Sequence, residues 1–212
     1  MTGGGPGGSL GGGLAALRRA RTPTPSLVAG ERCEFCGAPV DERHGHVADV
    51  ADHRLLCVCR PCYLLFSPRG AGGGRYRGVG ETVRAIGDLR LDDATWDRLL
   101  IPVELAFFFL QDGRPLAFYP SPAGATESQL DLGAWSTIAE DNPALDGLEP
   151  DVEAALVRHH DGAFTCHLVP IDVCYQLVGV VRSRWAGLAG GREVWDAIDA
   201  FFADLDRRAV PA

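Results

Sequence analysis

Residues 33–66 read Cys33-Glu-Phe-Cys36-Gly-Ala-Pro-Val-Asp-Glu-Arg-His44-Gly-His46-Val-Ala-Asp-Val-Ala-Asp-His53-Arg-Leu-Leu-Cys57-Val-Cys59-Arg-Pro-Cys62-Tyr-Leu-Leu-Phe66. Five of the chain's seven cysteines stand here as C-x2-C, a gap of twenty residues, and C-x-C-x2-C. Paired thiolates at that separation are how a small segment with reduced thiols holds a tetrahedral metal ion. Gly37 permits the turn beneath the first pair, and Cys59-Arg-Pro-Cys62 supplies the second. The simplest ligand set is Cys33, Cys36, Cys59 and Cys62. Side chains alternate along a strand, so Cys57 points with Cys59 and either replaces it or lies just behind it. His44 and His46 share a face for the same reason, which keeps a Cys3His variant or an outer-shell histidine open.

Around these cysteines, residues 47–50 and 54–59 are short β-like runs separated by Ala51-Asp52-His53, the pattern of a hairpin. Pro61 stands where a helix can begin, and residues 63–66 continue it as an apolar turn. Knuckle, hairpin and helix start, with a cysteine pair at each end, describe a zinc-ribbon or treble-clef-like module over 29–68.

Working outward, residues 1–28 are Gly-rich with Pro and Ser, and bury too little apolar surface to offset the entropy of ordering. They are expected to be a disordered tail. Residues 69–74, Arg-Gly-Ala-Gly-Gly-Gly, read as a hinge. Beyond it an α+β domain is expected over 76–208. In that domain, residues 103–110 and 115–119 flank an Asp112-Gly113 turn and form a hairpin whose first strand, nearly all apolar, is buried on both faces. Residues 153–159 and 163–169 form a second hairpin across His160-Asp161-Gly162. A short helix is expected near 133–140, and two C-terminal helices follow from the spacing of Ile171, Cys174, Tyr175, Val178, Val181 and Trp185, then of Val194, Trp195, Ile198, Phe201, Phe202 and Leu205.

The chain has 28 acidic and 20 basic residues, a net charge of −8, and no lysine among the latter. That balance opposes nucleic-acid binding. No stretch approaches the ~20 apolar residues of a membrane span, and no secretory core precedes the cysteines. A cytoplasmic setting is expected, in which paired thiols favour metal over disulfide.

The same residues suit rival chemistries. Four cysteines in two pairs also suit iron in a rubredoxin-like electron carrier, because tetrahedral sulfur fits either metal. A redox dithiol would open a helix in a βαβ unit, which is missing here. The order of cysteines, histidines and hairpin also frames HNH-type endonucleases, but no downstream Asn/His pair follows. The Pro-rich stretch 118–128, with Ser121, Thr126, Glu127 and Ser128, reads either as a rigid connection whose hydroxyls cap the next helix or as a binding loop; with His53 it would serve a metal-dependent hydrolase. Cys166, His167 and Cys174, with His159 and His160, lack ligand spacing and read as core thiols and surface histidines. No nucleophile elbow, P-loop or dinucleotide fingerprint occurs.

The motifs Cys33-Glu-Phe-Cys36-Gly37, His44-Gly-His46 and 56–66 recur in order with Ile101-Pro-Val103, the stretch 118–128, Pro170-Ile-Asp172, Cys174-Tyr175 and Glu193-Val-Trp195. In these the chain resembles an uncharacterised bacterial family encoded beside [NiFe]-hydrogenase structural and maturation genes. The resemblance implies an accessory factor whose protein partners are hydrogenase subunits or maturation factors; it implies no chemistry. The expectation is therefore a non-enzymatic interaction protein holding zinc, with iron the alternative metal.

Overall fold

A computed structural model describes residues 30–129, 131–187 and 190–212, together with Met1; of Leu132 only the backbone is described. The tail expected over 1–28 lies, Met1 apart, outside the described residues. Among those residues the chain forms two sheets and five α-helices, an α+β protein.

The first sheet is built on the hairpin foreseen in the cysteine segment. Strands β1 (Gly45–Asp49) and β2 (Arg54–Val58) pair antiparallel, with His46 opposite Cys57. Helix α1 (Arg60–Phe66) follows at once, with Pro at its start, where a missing N–H costs nothing. Strand β3 (Tyr76–Gly78) then adds to the free edge of β1, giving the order β2-β1-β3. The sheet thus takes in residues beyond position 68, and the glycines at 70–74 form a short 3-10 turn leading into β3.

The second sheet has seven strands in the order β10-β4-β9-β8-β5-β6-β7. Its centre consists of the two expected hairpins. Strands β5 (Leu105–Gln111) and β6 (Arg114–Ser121) turn through Asp112 and Gly113, at φ 50° and 73°. Strands β8 (Glu153–His160) and β9 (Ala163–Pro170) turn through Asp161 and Gly162, at φ 51° and 73°. Two consecutive residues with positive φ mark the hairpin turn whose twist matches that of the strands. The flanking strands are short: β4 (Arg84–Ile86), β7 (Gly124–Glu127) and β10 (Val210–Pro211), the last parallel to β4.

The central strands are apolar throughout because both faces of the sheet are covered. Phe107, Leu156 and Val169 face helices α4 (Ile171–Arg184) and α5 (Arg192–Arg208), where Val178, Val181, Ile198 and Phe202 complete the core. Phe108, Ala155 and Leu168 face the other way, toward Trp96 of α2 (Asp93–Arg98) and Trp135 and Ile138 of α3 (Leu132–Asp141). Phe107 and Phe108, adjacent in sequence, are both almost wholly buried, on opposite sides.

The two sheets share a core. Ala48 of β1 and Leu55 of β2 join the α4–α5 cluster, with Val79 and Val83. Polar ties reinforce this seam. The Nδ1 atom of His46 lies 3.0 Å from Asp172 Oδ2 at the start of α4, and Tyr63 of α1 donates to the Val79 carbonyl at 3.0 Å. Asp49, buried at the end of β1, accepts from both Nε and Nη2 of Arg75, just before β3.

Stretch 118–128 folds into β6, a tight turn and β7, so neither a connecting segment nor a cap is found there. Ser121 Oγ donates to the Gly124 carbonyl at 3.0 Å and lies 2.9 Å from Thr126 Oγ1. Asp131, instead, caps α3 by accepting from Gly133 N.

Candidate metal centre

The four-cysteine set converges as the spacing requires. The knuckle is closed by Gly37 N donating to the Cys33 carbonyl at 2.8 Å and Cys33 N donating to the Ala38 carbonyl at 2.8 Å. Gly37 takes φ 73°, a left-handed conformation that favours glycine. Cys59 is the residue that begins α1, and Cys62 lies in its first turn, so one side of that helix carries the second pair. The sulfur atoms of Cys33, Cys36, Cys59 and Cys62 all lie within 4.8 Å of one another, and those of Cys36 and Cys59 are 3.6 Å apart. A tetrahedral zinc–thiolate centre with ~2.3 Å bonds needs sulfur separations of ~3.8 Å. The residues present fit a single ion.

Behind the sulfurs is a small apolar core. Cys33 and Cys62 are buried with Val47, Leu56 and Val58, and the rings of Phe35, Phe66 and Tyr76 close it, with Phe35 and Phe66 centroids 4.2 Å apart. Cys36 is exposed and Cys59 partly so. The knuckle therefore shows one edge of the cluster to solvent.

Backbone dipoles prepare the site for charge. Burial raises the Cys33 thiol, but N–H groups of Cys59, Cys36 and Phe35 and the Cys36 thiol outweigh it and bring it down to about 6. Burial, followed by the sulfurs of Cys59, Cys33 and Cys36, pushes the Cys62 thiol up. At Cys36 the N–H of Ala38 favours the thiolate, yet the Cys33 and Cys59 sulfurs prevail and hold the thiol above its ordinary range. The cluster thus favours a thiolate at Cys33 and protons on Cys36 and Cys62, and a bound dication displaces those protons.

Cys57 does not join the four. Strand β2 ends at Val58 and Cys59, still extended, is already the residue before α1, so the same-face relation expected of residues 57 and 59 brings them to no common site. Ligand atoms of Cys57, His44 and His46 gather instead within 4.8 Å of one another in a separate group. The Cys57 thiol is raised by burial and by the charges of Glu31 and Glu34.

Glu34 is a residue that the sequence reading passed over. Its backbone N donates to the Cys57 carbonyl at 2.9 Å, its Oε2 accepts from Cys57 N at 2.7 Å, and its Oε1 accepts from Arg54 Nη2 at 3.0 Å. The knuckle is thereby stitched to the outer edge of β2. The x positions of a C-x2-C motif carry no sequence signal for such a role.

The remaining candidates do not assemble. Cys166 and Cys174 are buried on opposite sides of the large sheet. His167 pairs with Asp206 of α5 at 2.9 Å, and His159 stacks on Phe164 with centroids 4.1 Å apart. His53 stands 3.7 Å from Asp112, on a cavity of about 270 Å³ floored by Phe109, Phe118 and Tyr175. Among the described residues no helix is long and apolar enough to cross a membrane.

An α+β chain carrying a cluster of four convergent thiols is the class that fold and site define. Residues 32–209 match the model of a family of unknown function, DUF5947, and the chain belongs to that family. No curated protein and no solved structure matches it.

Proposed function

We propose that this chain is a non-enzymatic accessory protein in which Cys33, Cys36, Cys59 and Cys62 hold one structural zinc ion. The observation that carries the reading is the convergence of four sulfur atoms within 4.8 Å. Four protein thiolates complete a tetrahedral shell and leave no position for substrate, the arrangement of a structural centre. The order of knuckle, hairpin and helix supports a treble-clef arrangement. Immediately after Cys62, Leu64 and Leu65 stand exposed at 56% and 68%. Adjacent apolar side chains left in water on a metal-held helix suit docking of a protein partner. The family resemblance carried by residues 33–66, 118–128 and 170–175 supports a partner among [NiFe]-hydrogenase subunits or maturation factors in the cytoplasm.

Metal analysis with a visible spectrum of the purified protein tests the centre. One zinc per chain without colour is expected; iron with a red chromophore turns the reading into a rubredoxin-like electron carrier. Docking is tested by co-purification with hydrogenase subunits. Recovery is expected to fall in Leu64→Glu/Leu65→Glu and in Cys36→Ser, and unchanged recovery in all of them removes the accessory role. A hydrolase reading has little support, because Ser121 and Thr126 spend their hydroxyls on the β6–β7 turn.

A further inference from the structure

His44 and His46 flank Gly45 at the start of β1, and Cys57 lies directly opposite His46 on β2. Side chains of directly opposed residues share a face of the sheet, and the ligand atoms of all three lie within 4.8 Å of one another. The hydrogen bonds around the two imidazoles fix which nitrogen of each is available. His44 Nδ1 lies 2.7 Å from the Asp41 carbonyl oxygen, which only accepts, so Nδ1 carries the proton and Nε2 the lone pair. His46 Nδ1 lies 3.0 Å from Asp172 Oδ2 and is likewise the donor. Both rings are thus set in the tautomer that offers Nε2 to a metal, each braced from behind by an oxygen, as metal-binding histidines are.

A second observation points to a ligand. The His44 side chain is only 8% exposed, and its Nε2 has no hydrogen-bond partner. Glu31 Oε2 stands 3.7 Å away, beyond hydrogen-bond range. A buried lone pair left unsatisfied costs free energy unless something binds it.

We infer that His44, His46 and Cys57 hold a second divalent ion of the zinc class. Two imidazoles and a thiolate form a borderline donor set that selects zinc-like ions over the hard cations calcium and magnesium. Asp172 orients His46 from the first turn of α4, so this ion ties the small sheet to the larger one. The two histidines line a cleft of about 550 Å³ that also includes Tyr63, Asp172 and Gln176, giving the ion a path of entry.

The test uses the full chain, stripped of metal and titrated with Co²⁺ under reducing conditions. Two ions per chain are expected for the natural sequence. One is expected for His44→Gln and for Cys57→Ser, with the thiolate charge-transfer band of the four-cysteine centre kept. Asp172→Asn is expected to weaken the second ion about 10–100-fold and leave the first unchanged. X-ray absorption of the natural protein loaded with zinc needs no variant, and is expected to show imidazole nitrogen beside sulfur. A single ion per chain, an all-sulfur shell, or two ions retained in both His44→Gln and Cys57→Ser overturns the second site. An all-sulfur single ion leaves the four-cysteine reading standing, so the two sites fail separately.

Discussion

At the scale of single residues, the centre depends on groups that are not ligands. Glu34 covers the N–H of Cys57 on the open edge of β2 and holds Arg54. A charge-assisted bond of this kind, partly in water, contributes on the order of 1 kcal/mol. Glu34→Ala is expected to lower unfolding free energy by about that amount in denaturant titration and to speed metal loss to a chelator, while Glu34→Gln keeps most of both. His167 makes a pH prediction. Burial lowers its affinity for a proton in the folded state, and Asp206, which opposes this, does not compensate. Its folded value lies below the unfolded ~6.5, so its contribution to stability is full above that value and is lost as pH falls toward the folded one. In His167→Gln, the fall in melting temperature from pH 7 to pH 5 is expected to be shallower. Of the site, the convergence of the four cysteines was legible from spacing alone. The departure of Cys57 was not, because it depends on where β2 ends and α1 begins.

At the scale of elements, the long signals were legible and the short ones were not. Both hairpins announced themselves through Asp-Gly, and both C-terminal helices through their apolar period, although Tyr175 and Trp195, counted on those faces, stand 43% and 40% exposed. Strands β3, β4 and β10, of two or three residues each, are too brief to show alternation and exist because a neighbouring edge needs partners. The Pro-containing run at 118–128 concealed a strand pair for a similar reason, since Pro120 sits where sequence argues against a ladder. Gly78 shows how tightly such an element is seated. A Cβ there would meet the side chain of Ser67 and stand 3.0 Å from its Cα, so β3 and the end of α1 would have to separate. Gly78→Ala is expected to cost about 1–3 kcal/mol in unfolding free energy and to loosen the centre that α1 supports.

For the molecule as a whole, the shared core decides how it comes apart. Ala48 and Leu55 of the small sheet pack into the same cluster as α4 and α5, and His46–Asp172 and Arg77–Pro150 cross the seam. The zinc ion proposed for the four cysteines would add its binding energy to folding, and across such a seam that energy would reach both sheets. One calorimetric transition is therefore expected, shifted to lower temperature as a unit by chelation or by Cys62→Ser. Two separate transitions, with only the first sensitive to chelator, would mean the sheets unfold independently.

The three consecutive phenylalanines of β5 have a consequence of their own. A strand whose sides differ in polarity is locked in phase by that contrast, since sliding one place turns every greasy group outward. Here Phe107, Phe108 and Phe109 make neighbouring phases almost indistinguishable: a slip by one still delivers a ring to each side. What clocks the strand is the bend at Asp112 and Gly113, which counts residues where hydrophobicity cannot. Lengthening that bend by a single residue is thus expected to scramble the interior of this protein more than emptying one aromatic site within it.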